Sequence, residues 1–291
     1  MRIGALEAGG TKMVCAVGRE DGTILERKVF PTLRPEQTMP ELIGYFQQAG
    51  VEALGAACFG PLDLDKASDT YGYITSTPKA GWQDYPIWHI LRSALQVPVG
   101  FDTDVNGSVL GEAAYGALRG VETGMYITIG TGIGAGILAN GRVLHGMQHP
   151  EAGHILLSRH PQDPYEGTCA CHKNCFEGLA AGPALEKRWG KRAEELADID
   201  AVWELEAYYI GQALADYVML LSPQRIVLGG GVMHQETLLP RIHRQVREQL
   251  GGYIRTWQME HLEQYIVRSE LGEDQGILGA LKLGQEAART I

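Results

Sequence analysis

Much is missing from this 291-residue chain, and each absence removes a class of protein. No run approaches the roughly 18 consecutive apolar residues that a bilayer-spanning helix requires. The start, Met1-Arg2-Ile3-Gly4-Ala5-Leu6-Glu7, passes straight into a strand pattern without the layout of a signal peptide. The expectation is a cytoplasmic protein with no membrane partner. A basic excess is also missing: 25 Lys and Arg face 35 Asp and Glu, for a formal charge of −10, and no Lys/Arg cluster occurs. Neutralising a phosphate backbone needs a basic surface, so the charge argues against a nucleic-acid partner. The Walker pattern Gly-x-x-x-x-Gly-Lys-Ser/Thr does not occur. Cysteine is scarce and uneven, at five residues. Cys15 and Cys58 lie singly in apolar runs and read as inert core thiols. Cys169, Cys171 and Cys175 fall close together, and in a reducing compartment such clustering favours metal over disulfide.

Glycine, by contrast, is abundant, at 38 residues, about twice its usual share. It gathers in tight runs such as Ala8-Gly9-Gly10-Thr11 and Leu228-Gly229-Gly230-Gly231, which points to close backbone approach and not to linkers. The local patterns predict strands at 3–8, 12–18 and 23–30, a helix at 35–48, a strand at 53–59 and a helix at 87–95. A strand at 97–101 and a helix at 104–118 follow, so the order is βββαβαβα. The second half repeats it with strands at 124–129, 133–139 and 142–146, helices at 177–188 and 200–221, and a strand at 225–228. A helix at 235–250, a strand at 265–267 and a closing helix at 275–288 complete the copy. Two tandem α/β units imply two lobes with a cleft between them. The boundaries expected are 1–118 with about 274–291 for a smaller N-terminal lobe, and 119–273 for a larger C-terminal one.

Two Gly-rich turns occupy matching places: Glu7-Ala8-Gly9-Gly10-Thr11-Lys12 and Gly130-Thr131-Gly132-Ile133-Gly134. Their unhindered N–H groups, with the Thr11 and Thr131 hydroxyls, could surround a triphosphate; either turn alone could equally be only a tight hairpin. Gly130-x-Gly132-x-x-Ala135 also satisfies the dinucleotide fingerprint, but that motif needs a helix next, and 136–141 reads as a strand entering a turn. A third run, Leu228 to Val232, leaves a strand and opens a helix, where backbone could approach a flat adenine or simply pack closely.

The segments 7–12, Gly-Pro-Leu-Asp at 60–63, 71–79 (Tyr-Gly-Tyr-Ile-Thr-Ser-Thr-Pro-Lys), 102–107 (Asp-Thr-Asp-Val-Asn-Gly), 130–134, 149–154 (His-Pro-Glu-Ala-Gly-His), 169–175 and 229–232 occur in order along nearly the whole chain. In these the sequence resembles the ROK family of sugar kinases, and most of all its bacterial fructokinase branch. The resemblance implies two ribonuclease-H-like lobes of the actin/hexokinase type. It also implies ATP-dependent phosphorylation of fructose to fructose 6-phosphate with Mg²⁺, and a homodimer. A broader hexokinase or mannokinase, or a non-catalytic sugar sensor or regulator of the same family, are the alternatives. The regulators carry a helix-turn-helix ahead of this domain, for which a first strand starting by Arg2 leaves no room.

Phosphoryl transfer to a hydroxyl needs a carboxylate within reach of it and positive charge around the moving group. By its residues alone, Asp104 or Asp102 is a helix N-cap; by the resemblance Asp104 is the general base. Thr103 stands where many members have a sugar-contacting Asn. Glu151, His154 and Glu177 match sugar-binding positions, against the ordinary fate of a Glu as a solvated surface group. Gly10, Thr11, Lys12, Thr131, Gly132, Pro183, Gly231, Val232 and Gln235 are the ATP positions implied. Glu7 replaces the Asp common in the wider family and could hold water around Mg²⁺. Cys169-x-x-His172-x-x-Cys175 supplies three zinc ligands at even spacing, with Cys171 competing against His172. The resemblance favours His172 and adds His154 as the fourth ligand of a structural Zn²⁺ that would fix the segment of Glu151.

Overall fold

The computed structural model describes residues 1–289. They form two compact units: Met1–Arg119 with Val143–Pro150 and the chain from Leu271 on, and Gly120–Arg142 with Glu151–Glu270. Among the described residues no helix is long and apolar enough to cross a membrane.

In the first unit, β1 (Ile3–Ala8), β2 (Lys12–Gly18), β3 (Ile24–Pro31), β4 (Ala53–Cys58) and β5 (Val99–Thr103) form one sheet in the order β3-β2-β1-β4-β5. The β1–β2–β3 meander is antiparallel, whereas β1–β4 and β4–β5 run parallel. Both faces are covered, so the strands are apolar at successive positions and each side chain's parity sets its face. Leu6, Ala8, Met13, Cys15, Leu54, Ala56 and Cys58 pack under α1 (Pro35–Ala49) and α2 (Ile87–Leu95), together with Met39, Leu42, Phe46, Ile87 and Leu91. Ile3, Ala5, Val14, Ala16 and Ala57 face α10 (Gln275–Arg289) through Ile277, Ala280 and Leu281. Cys15 and Cys58 are buried free thiols, pushed far above their ordinary range by desolvation.

The second unit repeats the topology. β6 (Gly124–Ile129), β7 (Ile133–Ala139), β8 (Arg142–Val143), β9 (Arg225–Gly229) and β10 (Ile266–Arg268) form a sheet in the order β8-β7-β6-β9-β10, with β6 antiparallel to β7 and parallel to β9. Both units are thus one α/β plan used twice, as the repeated element order predicts.

Several boundaries differ from the sequence expectation. The third strand of the second half is two residues long, Arg142–Val143. The helix expected at 177–188 is broken into α4 (Phe176–Ala180) and α5 (Gly182–Trp189) with Ala181 extended at φ −72°, ψ 158°. Pro183 is the cause: it cannot donate inside a continuous helix but suits the first turn of a new one. α6 (Asp200–Leu221) ends where Ser222 turns left-handed, just before Pro223. The third Gly run opens only a 3₁₀ turn, Gly231–His234, and α7 begins later, at Leu238–Leu250, followed by two single turns, α8 (Trp257–Glu260) and α9 (Leu262–Tyr265). Gly230 has φ +87° and a Cβ there would collide with the Ile129 carbonyl, so no other residue fits.

α10 crosses α3 (Asp104–Tyr115) and lies on β4 at backbone contact. A Cβ on Gly279 would fall onto the Gly107 carbonyl oxygen, and one on Gly55 onto the Ala280 carbonyl oxygen. Gly279→Ala should therefore destabilise the protein by about 2 kcal/mol or more, the usual range for overpacking. Gly44→Ala, where an added Cβ meets nothing within 4 Å, should be neutral or gain up to about 1 kcal/mol of helix propensity. Urea midpoints of the two variants check this.

Candidate active site and metal centre

In the first unit the candidate groups gather where β1 and β5 end. Thr103 closes β5 and caps α3, its hydroxyl accepting from the Asn106 N–H at 3.1 Å. The capping reading of the aspartates is therefore corrected: Thr103 is the N-cap, Asp104 is the first helical residue, and Asp102 lies one residue before the cap. The Thr103 hydroxyl satisfies one orphan amide of the first turn, and the Asp104 carboxylate accepts from a second, the Val105 N–H at 2.9 Å. Asp102 is 5 % exposed. It accepts from the Thr103 N–H at 2.8 Å, from Asn106 Nδ2 at 2.7 Å and from His145 Nε2 at 2.9 Å. These bonds hold the first turn of α3 from beneath. Spacing gave no sign of His145, because it comes from the 143–150 segment, more than 40 positions from Asp102.

Glu7, near the end of β1, is largely desolvated, and burial followed by the Asp104 charge pushes its pKa up to about 7. Two close carboxylates in a low-dielectric pocket repel one another, and a cation lowers that cost. The 9–12 turn is internally bonded, with the Gly9 N–H on the Lys12 carbonyl at 3.0 Å. It is tied to the next strand by the Thr32 N–H on the Thr11 carbonyl at 3.0 Å and the Thr32 hydroxyl on the Gly9 carbonyl at 2.8 Å. Gly10 has a neighbour that sequence reasoning missed: a Cβ there would lie 3.2 Å from Lys79 Cε and 3.9 Å from Nζ.

In the second unit the 130–132 turn leads into β7, not a helix, as expected for a turn outside the dinucleotide motif. Glu177 sits in α4 and accepts from the Ile133 N–H at 3.0 Å, while a Cβ on Gly132 would lie 2.8 Å from its Oε2. Gly182, next to Pro183, donates to the Gly130 carbonyl at 2.8 Å, and a Cβ on Gly130 would lie 3.8 Å from the Gly231 N. Thr131 is exposed. Segments 130–132, 182–183 and 231 thus converge. Val232 is 4 % exposed, so it can offer a ligand little beyond backbone. Gln235 turns its side-chain amide to the Ala197 carbonyl at 2.7 Å.

Exposed Glu151 precedes a 3₁₀ turn, Ala152–His154, whose Gly153 is pressed on the Ile133 carbonyl so closely that no Cβ fits. The Tyr217 hydroxyl donates to the Ala152 carbonyl at 2.6 Å and holds the turn from α6. Beside it, one donor atom from each of His154, Cys169, His172 and Cys175 falls within 4.8 Å of the others. His154 Nδ1 is 3.9 Å from Cys169 Sγ and 3.6 Å from Cys175 Sγ, and Cys169 Sγ is 3.8 Å from His172 Nδ1. Four ligands at zinc bond lengths on a tetrahedron lie roughly 3.3–3.8 Å apart, so the donor set fits this ion. Cys171 is exposed and outside the group.

The twice-used βββαβαβα plan makes this a two-unit α/β fold of the actin/hexokinase type. Comparison with known proteins gives the family: the ROK family model matches residues 3–287. A Bacillus subtilis (strain 168) protein carrying a provisional fructokinase name is 51 % identical over 98 % of this chain and 96 % of its own. The fructokinase of Streptococcus mutans is 43 % identical over 98 % of each chain. Among solved structures, a ROK hexokinase from Thermus thermophilus superposes with a TM-score of 0.83 at 31 % identity over 100 % of both chains. The chain belongs to the ROK family, beside its fructokinases.

The Asp102 hydrogen bond raises the pKa of His145 above its ordinary 6.5, against the opposing effect of burial. A pKa raised by folding gives stability that is full below the unfolded value and fades as pH climbs through the folded one. His145→Leu should therefore lower the urea midpoint more at pH 6 than at pH 8.5. An equal loss at both pH values would show that the pair adds no charge-dependent stability.

Proposed function

We propose that this ROK sugar kinase transfers the γ-phosphoryl group of ATP to O6 of fructose. The reading rests on the placement of Asp104 at the first position of α3 beside Glu7, in a chain similar to named fructokinases at 41–43 % identity. Asp104 accepts the proton of the O6 hydroxyl as the O6–phosphorus bond forms and the bond from phosphorus to the β-phosphate oxygen breaks, releasing ADP. Thr103, Glu151, His154 and Glu177 are the proposed sugar-side residues, carboxylates being suited to pairs of adjacent hydroxyls. On the nucleotide side we propose Gly10, Thr11 and Lys12 with Thr131 and Gly132 at the phosphates, and Pro183, Gly231, Val232 and Gln235 about the adenine and ribose. Mg²⁺ arriving with ATP supplies neutralisation of phosphate charge, and Glu7 is the carboxylate placed to hold its water. The family likeness further supports a cytoplasmic homodimer, with the first lobe as 1–118 plus about 274–291 and the second as 119–273.

The test is ADP release measured over fructose, mannose, glucose and N-acetylmannosamine. Fructose should give the highest kcat/KM; a preference for mannose or glucose would make the protein a broader hexokinase. Asp104→Ala should lose about 10²–10⁴ in kcat, the usual share of a general base, with its thermal midpoint retained. Near-normal turnover of that variant would refute the mechanism.

We also propose a structural Zn²⁺ held by His154, Cys169, His172 and Cys175, which would fix the turn after Glu151. Metal analysis should find about one zinc per chain, since such sites bind tightly. Cys175→Ser should lose the metal and Cys171→Ser should keep it. Loss of the metal from Cys171→Ser with retention in His172→Ala would move the ligand role from His172 to Cys171.

A further inference from the structure

Phosphoryl transfer needs cations around the moving group, and the motifs place only Lys12 at the 9–12 turn. The fold places a second. Lys79 lies 67 positions after Lys12, yet its side chain reaches over Gly10, with Cε 3.2 Å and Nζ 3.9 Å from where a Cβ on that glycine would stand. A side chain at Gly10 would crowd the Lys79 Cε by a few tenths of an ångström, so the glycine leaves room for the lysine to lie against the turn.

The approach is built from beneath. The Lys79 carbonyl accepts from the Trp82 N–H at 3.1 Å, and the Lys79 N–H faces the Thr77 hydroxyl at 3.4 Å, closing a turn over 77–82. Trp82 is 1 % exposed, donates its indole N–H to the Leu33 carbonyl at 2.7 Å and meets Phe59 edge-on at 5.8 Å. Leu33 follows Thr32, whose N–H and hydroxyl bond the Thr11 and Gly9 carbonyls. One chain of bonds therefore joins the anchor of Lys79 to the turn it overhangs. Lys79 itself is half-buried and forms no ion pair with a carboxylate among the described residues. A lysine brought to a Gly-rich turn without an acidic partner, in a chain carrying ten more negative than positive charges, is a point charge awaiting an anion.

We propose that Lys79 is a catalytic residue that binds the transferring phosphoryl group of ATP. The proposal rests on the reading of 9–12 as a phosphate turn. Its ammonium would offset charge on the phosphoryl oxygens as the bond to the β-phosphate breaks, and would contact the nucleotide and not the hexose.

The experiment compares Lys79→Met and Lys79→Arg with the wild type in steady-state kinetics for ATP·Mg and fructose. Titration calorimetry of ATP·Mg without sugar runs beside it. Lys79→Met should lower kcat/KM for ATP about 100-fold, as removal of one transition-state donor does, with KM for fructose within about twofold. Its thermal midpoint should stay at the wild-type value because the ammonium supports no other part of the fold. Lys79→Arg should regain at least about tenfold of the loss, since a guanidinium also binds phosphate. Retention of kcat/KM for ATP within about threefold by Lys79→Met would overturn the proposal. A change confined to KM for fructose would also overturn it and move Lys79 to the sugar. Failure of the kinase reading would appear differently, as no sugar phosphate from the wild type. Lys79 is then judged by calorimetry alone, where an unchanged Kd for ATP·Mg rejects it and a weaker one retains it as a phosphate ligand.

Discussion

The peptide units on either side of Ile133 join most of the candidate groups of the second unit. The Ile133 N–H is bonded by the Glu177 carboxylate at 3.0 Å, and its carbonyl is the surface on which Gly153 rests. The residue also opens β7 directly after the 130–132 turn. A phosphate-turn candidate, the two carboxylates proposed for the sugar and the turn of His154, a candidate zinc ligand, therefore share one strand start. A β-strand inside a sheet is among the stiffest mounts a fold can supply, and groups fixed to it hold their geometry better than groups on free loops.

The first unit solves the same problem with a helix start. Thr103 satisfies the α3 amide, Asp102 gathers three donors beneath the turn, and Asp104 projects from a backbone already fixed on both sides. The helix itself is immobilised because α10 touches it at backbone distance through Gly107 and Gly279. A carboxylate held this way, if it is the base proposed, needs little reorganisation when substrate arrives, and orientation is a large part of what a kinase contributes. The pKa of Glu7, raised to about 7, reflects first the cost of burying a carboxylate and second the charge of Asp104. That cost persists where an incoming cation can relieve it.

Much of the architecture was legible in sequence because its signals are local. Short apolar runs, Gly-rich turns and helix stops repeat along the two halves, so the βββαβαβα order and most boundaries are legible from neighbours in the chain. The errors are local as well. Pro183 falls inside the helix predicted at 177–188, where its missing N–H forces a restart, and the strand predicted at 142–146 shortens to Arg142–Val143. The N-cap was assigned to an aspartate when the hydroxyl of Thr103 takes that place. Cap preference ranks Asp and Thr similarly, so only the backbone angle decided it.

By itself the sequence determined the twofold α/β plan, the pairing of Gly-rich turns and the clustering of soft donors at 169–175. Each is written in residues close together, where spacing and turn chemistry act. Tertiary structure decided what depends on chain segments far apart. It drew His172 and His154 to the two cysteines and left Cys171 exposed. It brought His145 beneath Asp102 and set Lys79 over Gly10. Sheet order and backbone contact fix those distances, and no local pattern encodes them.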